Sequence, residues 1–344
     1  MDFGQTIRQI GRTARAWLSG ARARLNAPPR ISMPRIERPR LGSLARPVGY
    51  LVLAIAVAWP LLAWWTHVVD ADPRFGPSEN ALKPGESRAV AAAIALLDRE
   101  VNEHGWVANN PFFMPSALLD NMPNFQKGVV AALARFAFEL TDQIGRTRGS
   151  SQADSDLQSA AGLLQYKPDV WVWDPAVSIW PTATSDQQYR AAMKALERYN
   201  TRLAAGAAVF DHRADNLQAT LDRIALDLGS ASAVVDTHLR EQSGFPIHND
   251  ADDVFYMVKG QMYGYYIVLK GLERDFDAVI KERELGKPWR QMMESFEQGV
   301  GLSPWVVLNG VPDSQFVPCP LCAEGFYLLR ARTQIREVTS ILQK

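Results

Sequence analysis

Several things are scarce in this 344-residue chain, and each scarcity removes a class of function. Two cysteines cannot build a multi-disulfide scaffold. Five histidines, His67, His104, His212, His238 and His248, form no HExxH motif and no i, i+4 pair. No Walker A loop, Rossmann GxGxxG or GxSxG elbow occurs, so none of these signatures marks a nucleotide site or a hydrolase nucleophile. Charge is unevenly placed. Residues 1–46 hold only two acids, Asp2 and Glu37, against ten arginines, and residues 47–69 hold no formal charge at all. With 37 basic and 37 acidic residues in total, residues 70–344 carry the compensating −8. An acidic body is a poor partner for nucleic acid, and a chain that is 47% hydrophobic and 10% aromatic is not disordered.

What is present begins with the uncharged run PVGYLVLAIAVAWPLLAWWTHVV, residues 47–69. As a helix it reaches about 34 Å, enough for a hydrocarbon core of about 30 Å. Trp59, Trp64 and Trp65 sit towards its far end, where amphipathic rings favour the interface. The run is longer than a signal-peptide core and follows a long basic head, so an uncleaved single-pass anchor is expected. The arginines place the head in the cytoplasm and the body outside, which in a bacterium means an inner-membrane anchor and a periplasmic domain. In residues 1–25, Phe3, Ile7, Ile10, Ala14, Trp17, Ala21 and Leu25 share a helical face. Arg8, Arg12, Arg15 and Arg22 fall between them, and this basic helix, with Trp17, suits an anionic membrane surface. Residues 26–46, with prolines at 28, 29, 34 and 39, read as a stiff linker.

The body, residues 70–344, reads as all-α with seven or eight helices. Apolar stripes at helical spacing run through Val90, Ile94, Leu97 and Val101, and through Phe125, Val129, Leu133, Phe136, Leu140 and Ile144. Others run through Tyr189, Met193, Leu196 and Leu203, opened by a Ser185–Gln188 capping box, and from Leu217 to Leu239. Segments 252–285 and Phe326–Leu342 complete the set. Gly260, Gly264 and Gly271 lie near one face of the 252–285 helix and predict a close helix crossing. Only Val170-Trp171-Val172-Trp173 alternates, as a short strand or a packed loop would.

Three places attract functional readings. Segments 102–124 and 168–183 are aromatic-rich loops, and Trp106, Phe112, Phe113, Trp171, Trp173 and Trp180 either pack over the core or line a groove. Cys319 and Cys322, in Pro318-Cys319-Pro320-Leu321-Cys322, suit a structural disulfide, a thiol-redox site or half of a metal site. Capping is the first explanation for Asp250, Asp252 and Asp253 at a helix start; with His248 they are a weak metal candidate. No cofactor is expected. Carboxylate pairs for glycan cleavage are not singled out by any spacing.

The stretches DPRFGPSENALKPGESRAV and NEHGWVANNPFFMPSALLDNMPNFQKGVV resemble a family of uncharacterised proteobacterial membrane proteins, classed as a domain of unknown function. The resemblance runs from about Val48 onwards and excludes the arginine-rich head. It implies a single-pass inner-membrane protein and transfers no catalytic residue. The expected function is an envelope protein whose helical domain binds a partner or self-associates. The alternatives are a thiol-redox protein using Cys319 and Cys322, or a cell-wall hydrolase with unrecognised carboxylates.

Overall fold

The computed structural model describes residues 41–66, 68–78, 82–145, 153–173, 179–241, 250–308, 310, 312 and 315–344. The basic helix expected over residues 1–25, with Arg8, Arg12, Arg15, Trp17 and Arg22, lies outside the described residues, as does His248. The chain divides into two compact units, Met1–Ile55 and Ala56–Lys344. Helix α1, Leu41–Thr66, contains Pro47–Trp65, the one helix among the described residues that is long and apolar enough to cross a membrane.

The rest is helical, with no strand among the described residues. Beyond α1, eight helices among the described residues have ten residues or more: α2 (Arg88–Asp98), α3 (Asn121–Glu139), α4 (Ser155–Leu164), α5 (Ser185–Ala204), α6 (Ala214–Glu241), α7 (Asp250–Asp275), α9 (Gly286–Val300) and α10 (Pro320–Leu342). A ninth, α8, is only Asp277–Glu282. The 252–285 segment therefore breaks after Asp275 into α7 and the short α8. Val170–Trp173 is a loop, whose backbone carbonyls at Val170 and Val172 accept from the Ser185 and Thr182 N–H groups.

The stripes become the core. Phe125, Val129, Leu133, Phe136, Leu140 and Ile144 are all buried, as are Leu217, Leu221, Ile224, Leu228, Ala231 and Val235. Each large apolar side chain buried this way contributes about 1.5–3 kcal/mol before the entropy of ordering it is counted. The cap of α5 lies one residue earlier than the spacing suggested. Thr184 and Gln187 form the capping box. Ser185 is buried instead, its hydroxyl donating to the Lys167 carbonyl at 2.7 Å and accepting from the Val170 N–H at 3.0 Å.

Helices α3 and α7 run parallel and touch backbone to backbone. A Cβ on Gly260 would lie 2.0 Å from the Phe125 carbonyl oxygen, and one on Gly128 would lie 2.1 Å from that of Met257. Gly264 faces the same helix, at Val129 and Ala132, whereas Gly271 meets the backbone of Ala89 in α2. The glycine row thus serves two partners, and Gly128 supplies the matching gap on α3.

Candidate functional site

The two aromatic loops meet. Trp106 donates its indole N–H to the Pro168 carbonyl at 2.8 Å, and the Asn109 amide donates to the Val170 carbonyl at 3.0 Å. The Phe113 and Trp171 rings pack edge to face, 5.7 Å between centroids. Trp106 is buried against Tyr189 and belongs to the core. The others stay near solvent: Phe112 is 89% exposed and Trp180 79%, with Phe113, Trp173 and Ile179 also exposed and Trp171 half-buried. The second loop is stiffened by its own bonds. Thr182 N–H donates to the Val172 carbonyl at 3.0 Å, Ser185 N–H to that of Val170 at 3.1 Å, and the Trp173 indole to that of Ile179 at 3.2 Å. Phe112, Phe113, Trp173, Ile179 and Trp180 thus present apolar surface to solvent.

The acids behave differently. Asp252 and Asp253, in the first turn of α7, come together with Asp120, the N-cap residue of α3, their carboxylate oxygens within 4.8 Å of one another. Asp250 is exposed and outside this group. Because α3 and α7 are parallel, two positive helix ends lie side by side, and the acids complement both. Burial, then the charges of Asp120 and Asp252, push the Asp253 carboxyl up to about 6, while the Asn124 amide donates to it. Asp253 faces a cavity of about 580 Å³ between α3, α6 and α7. Arg135 pairs with Asp227 there at 3.0 Å. The sequence pointed to two of the three acids; Asp120 lies 132 positions before Asp252, and no spacing rule links them.

Cys319 and Cys322 are joined by a disulfide, their Cα atoms 5.2 Å apart and both residues partly buried. Cys319 is the N-cap residue of α10, and its sulfur accepts the Cys322 N–H at 3.2 Å. In the reduced protein that N–H and the helix dipole favour a thiolate on Cys319. Its titration midpoint is therefore expected below that of an ordinary thiol, about 8.5. Alkylation rate against pH in the reduced Cys322→Ser variant measures it, and a midpoint near 8.5 would remove the helix end from the account.

A family model described as an uncharacterised protein conserved in bacteria (DUF2333) matches residues 48–245. The chain belongs to this family. No curated protein and no solved structure matches it. Both aromatic loops and Asp120 lie inside the DUF2333 match; α7, the cysteines, Asp252 and Asp253 lie beyond it. The matched segment is not a complete core by itself, because the face of α3 carrying Phe125, Gly128 and Val129 is covered by α7.

A buried polar network that joins the DUF2333 region to α7 escaped the sequence reading. After Asp98, α2 widens into a π-helical turn, Arg99–Glu103, which turns Arg99 and Glu100 inward. The Arg99 guanidinium pairs with Glu100 at 2.8 Å, donates to the Tyr263 hydroxyl at 2.8 Å and to the Asp70 carbonyl at 3.0 Å, and stacks 4.3 Å over the Phe75 ring. His104 bonds Glu100 at 3.5 Å, not its sequence neighbour Glu103, and this bond raises its pKa. The network ties the segment following α1 to α7. It is anchoring, and of its members only Phe75 lines a cavity, one of about 220 Å³.

Proposed function

We propose that this DUF2333 member is an inner-membrane-anchored envelope protein whose helical body, on the periplasmic side, docks another protein through Phe112, Phe113, Trp173, Ile179 and Trp180. The meeting of the two aromatic loops carries the reading. Aromatic rings held in fixed geometry bury large area at little entropic cost, which is the composition of binding hot spots. A protein suits the surface better than a bilayer does. Neither 105–126 nor 168–189 contains a lysine or arginine, whereas Asp120, Asp169, Asp174 and Asp186 flank or interrupt them. Membrane-surface segments carry the opposite charge. The arginine-rich head supports the orientation.

The test uses the full chain, cross-linked in native membranes and purified beside a Phe112→Ser, Trp180→Ser double variant. The wild type is expected to retain a cross-linked protein that the variant loses by about tenfold or more, with Tm unchanged. Recovery of the wild type alone and monomeric, or equal retention by the variant, would overturn the proposal. Loss of vesicle binding in place of protein binding would reassign the surface to lipid. The N-cap geometry of Cys319 supports a second reading, thiol–disulfide exchange, which the thiol titration above tests separately.

A further inference from the structure

The cavity of about 580 Å³ beside Asp253 follows from how the helices pack. Helix α3 lies tight against α7 along the glycine row, whereas α6 packs chiefly on α10, with the Val235 side chain against Gly325. A gap remains between α3 and α6, backed by α7, and every residue lining it lies within one of these three helices. We infer that this cavity binds a small organic cation, an apolar body carrying one protonated amine, with the amine on Asp253.

The two ends of the cavity differ in charge. At one end Arg135 pairs with Asp227 at 3.0 Å, and the buried Tyr265 donates its hydroxyl to the same Asp227 oxygen at 2.6 Å. That end is a neutral pair held from behind. At the other end Asp253 accepts from the uncharged Asn124 amide, and no ion pair among the described residues engages it. Burial, then the charges of Asp120 and Asp252, oppose its ionisation. Arg135 is the one basic residue among the described lining residues, and Asp227 already takes it. A cation on Asp253 would relieve a repulsion that the fold leaves standing.

Between the ends the wall is apolar: Ala231 and Val234 from α6, and Val254, Met257 and Val258 from α7. From Asp253 to Gln261 the cavity follows α7 for about 12 Å. Val234 is 53% exposed, so a ligand can enter from solvent without unfolding. The volume lies in the range of small-molecule pockets, and an apolar wall with few placed polar groups is their usual make-up. An ammonium offers three N–H donors to a carboxylate that has no charged partner. A second charge on the ligand body would be desolvated against the valines, so the class is a monocation with a hydrocarbon or aromatic body, not a polyamine. A bare metal ion would use the acidic end alone and leave the apolar wall without a role.

The experiment uses the full chain in phosphatidylcholine nanodiscs, titrated calorimetrically with phenylbutylamine, with its neutral counterpart phenylbutanol, and with calcium ion alone. Asp253→Asn and Val234→Trp are compared with wild type, beside Asp236→Asn, an exposed acid on α6 outside the lining. The wild type is expected to bind the amine saturably and about tenfold more tightly than the alcohol. Asp253→Asn should weaken the amine about tenfold and leave the alcohol unchanged. Val234→Trp, which fills the gap, should weaken both, and Asp236→Asn neither. No saturable amine binding, equal amine binding by wild type and Asp253→Asn, or an alcohol that binds as tightly as the amine overturns the inference. Calcium binding that Asp253→Asn abolishes, with no amine binding, overturns it in favour of a metal site. Should Asp253→Asn fail to fold, the amine–alcohol difference on the wild type and its loss in Val234→Trp still decide.

Discussion

Gly260→Ala is expected to destabilise the body by at least about 3 kcal/mol, lowering Tm by roughly 6–12 °C for a domain of this size. The added Cβ would sit 2.0 Å from the Phe125 carbonyl oxygen and 2.8 Å from its carbon. Both are backbone atoms of a packed helix, so no side chain can swing away. Relief requires α3 and α7 to separate, and their shared face carries Phe125, Val129, Met257 and Tyr263. Against a typical total of about 5–15 kcal/mol, such a loss leaves little margin. Gly162→Ala is the control. Gly162 lies within α4 with nothing within 4 Å of the new methyl, so removing a helix-interior glycine should stabilise by about 0.5–1 kcal/mol. Chemical and thermal denaturation of the full chain in detergent reads both. A Gly260→Ala protein that melts with the wild type would mean the helices are not in this contact.

Glu324→Gln is expected to stabilise the protein at pH 8 and to change little at pH 4. Glu324, in the second turn of α10, is fully buried, and neither carboxylate oxygen has a hydrogen-bond partner. Burial holds its pKa well above the usual carboxylate range, and the buried Lys259 opposes this only in part. Lys259 spends its ammonium on the Leu302 carbonyl, and its own pKa is lowered by burial. In the unfolded chain the carboxyl ionises near 4.3. Above that pH the unfolded state releases a proton that the folded state retains. Stability therefore falls by about 1.4 kcal/mol per pH unit until the folded pKa is reached. Below the unfolded pKa both states hold the proton and the penalty vanishes. Glutamine removes the slope, so the gap between variant and wild type should widen from about pH 4.5 upward. Melting curves at four or five pH values decide it. A constant gap would mean that Glu324 is ionised in the fold and paired with Lys259.

The aromatic loops illustrate how far sequence reasoning reaches. Their composition marked residues 102–124 and 168–183 as loops that pack over the core or line a groove, and five of the six rings named there are at least partly accessible. The sixth, Trp106, is core, because its indole N–H has a carbonyl partner at Pro168 and can be buried without cost. That partner comes from the other loop, and nothing along the chain announces it. The Ser185 cap was displaced by one residue for a similar reason. Thr184 and Ser185 both suit an N-cap locally, and the Lys167 and Val170 carbonyls decide between them.

The sequence by itself determined the apolar run at 47–69, the all-α class, the buried stripes and the segregation of charge. These are local or periodic properties, carried by neighbouring residues and by the 3.6-residue turn. Tertiary structure alone decided which features meet: Gly128 with Gly260, Asp120 with Asp252 and Asp253, Glu324 with Lys259, and Asn124 and Asp253 with Ala231 and Val234. Those groupings depend on how α3, α6, α7 and α10 are oriented about one another. Helix packing sets that orientation through complementary shape, which has no period along the chain to be read.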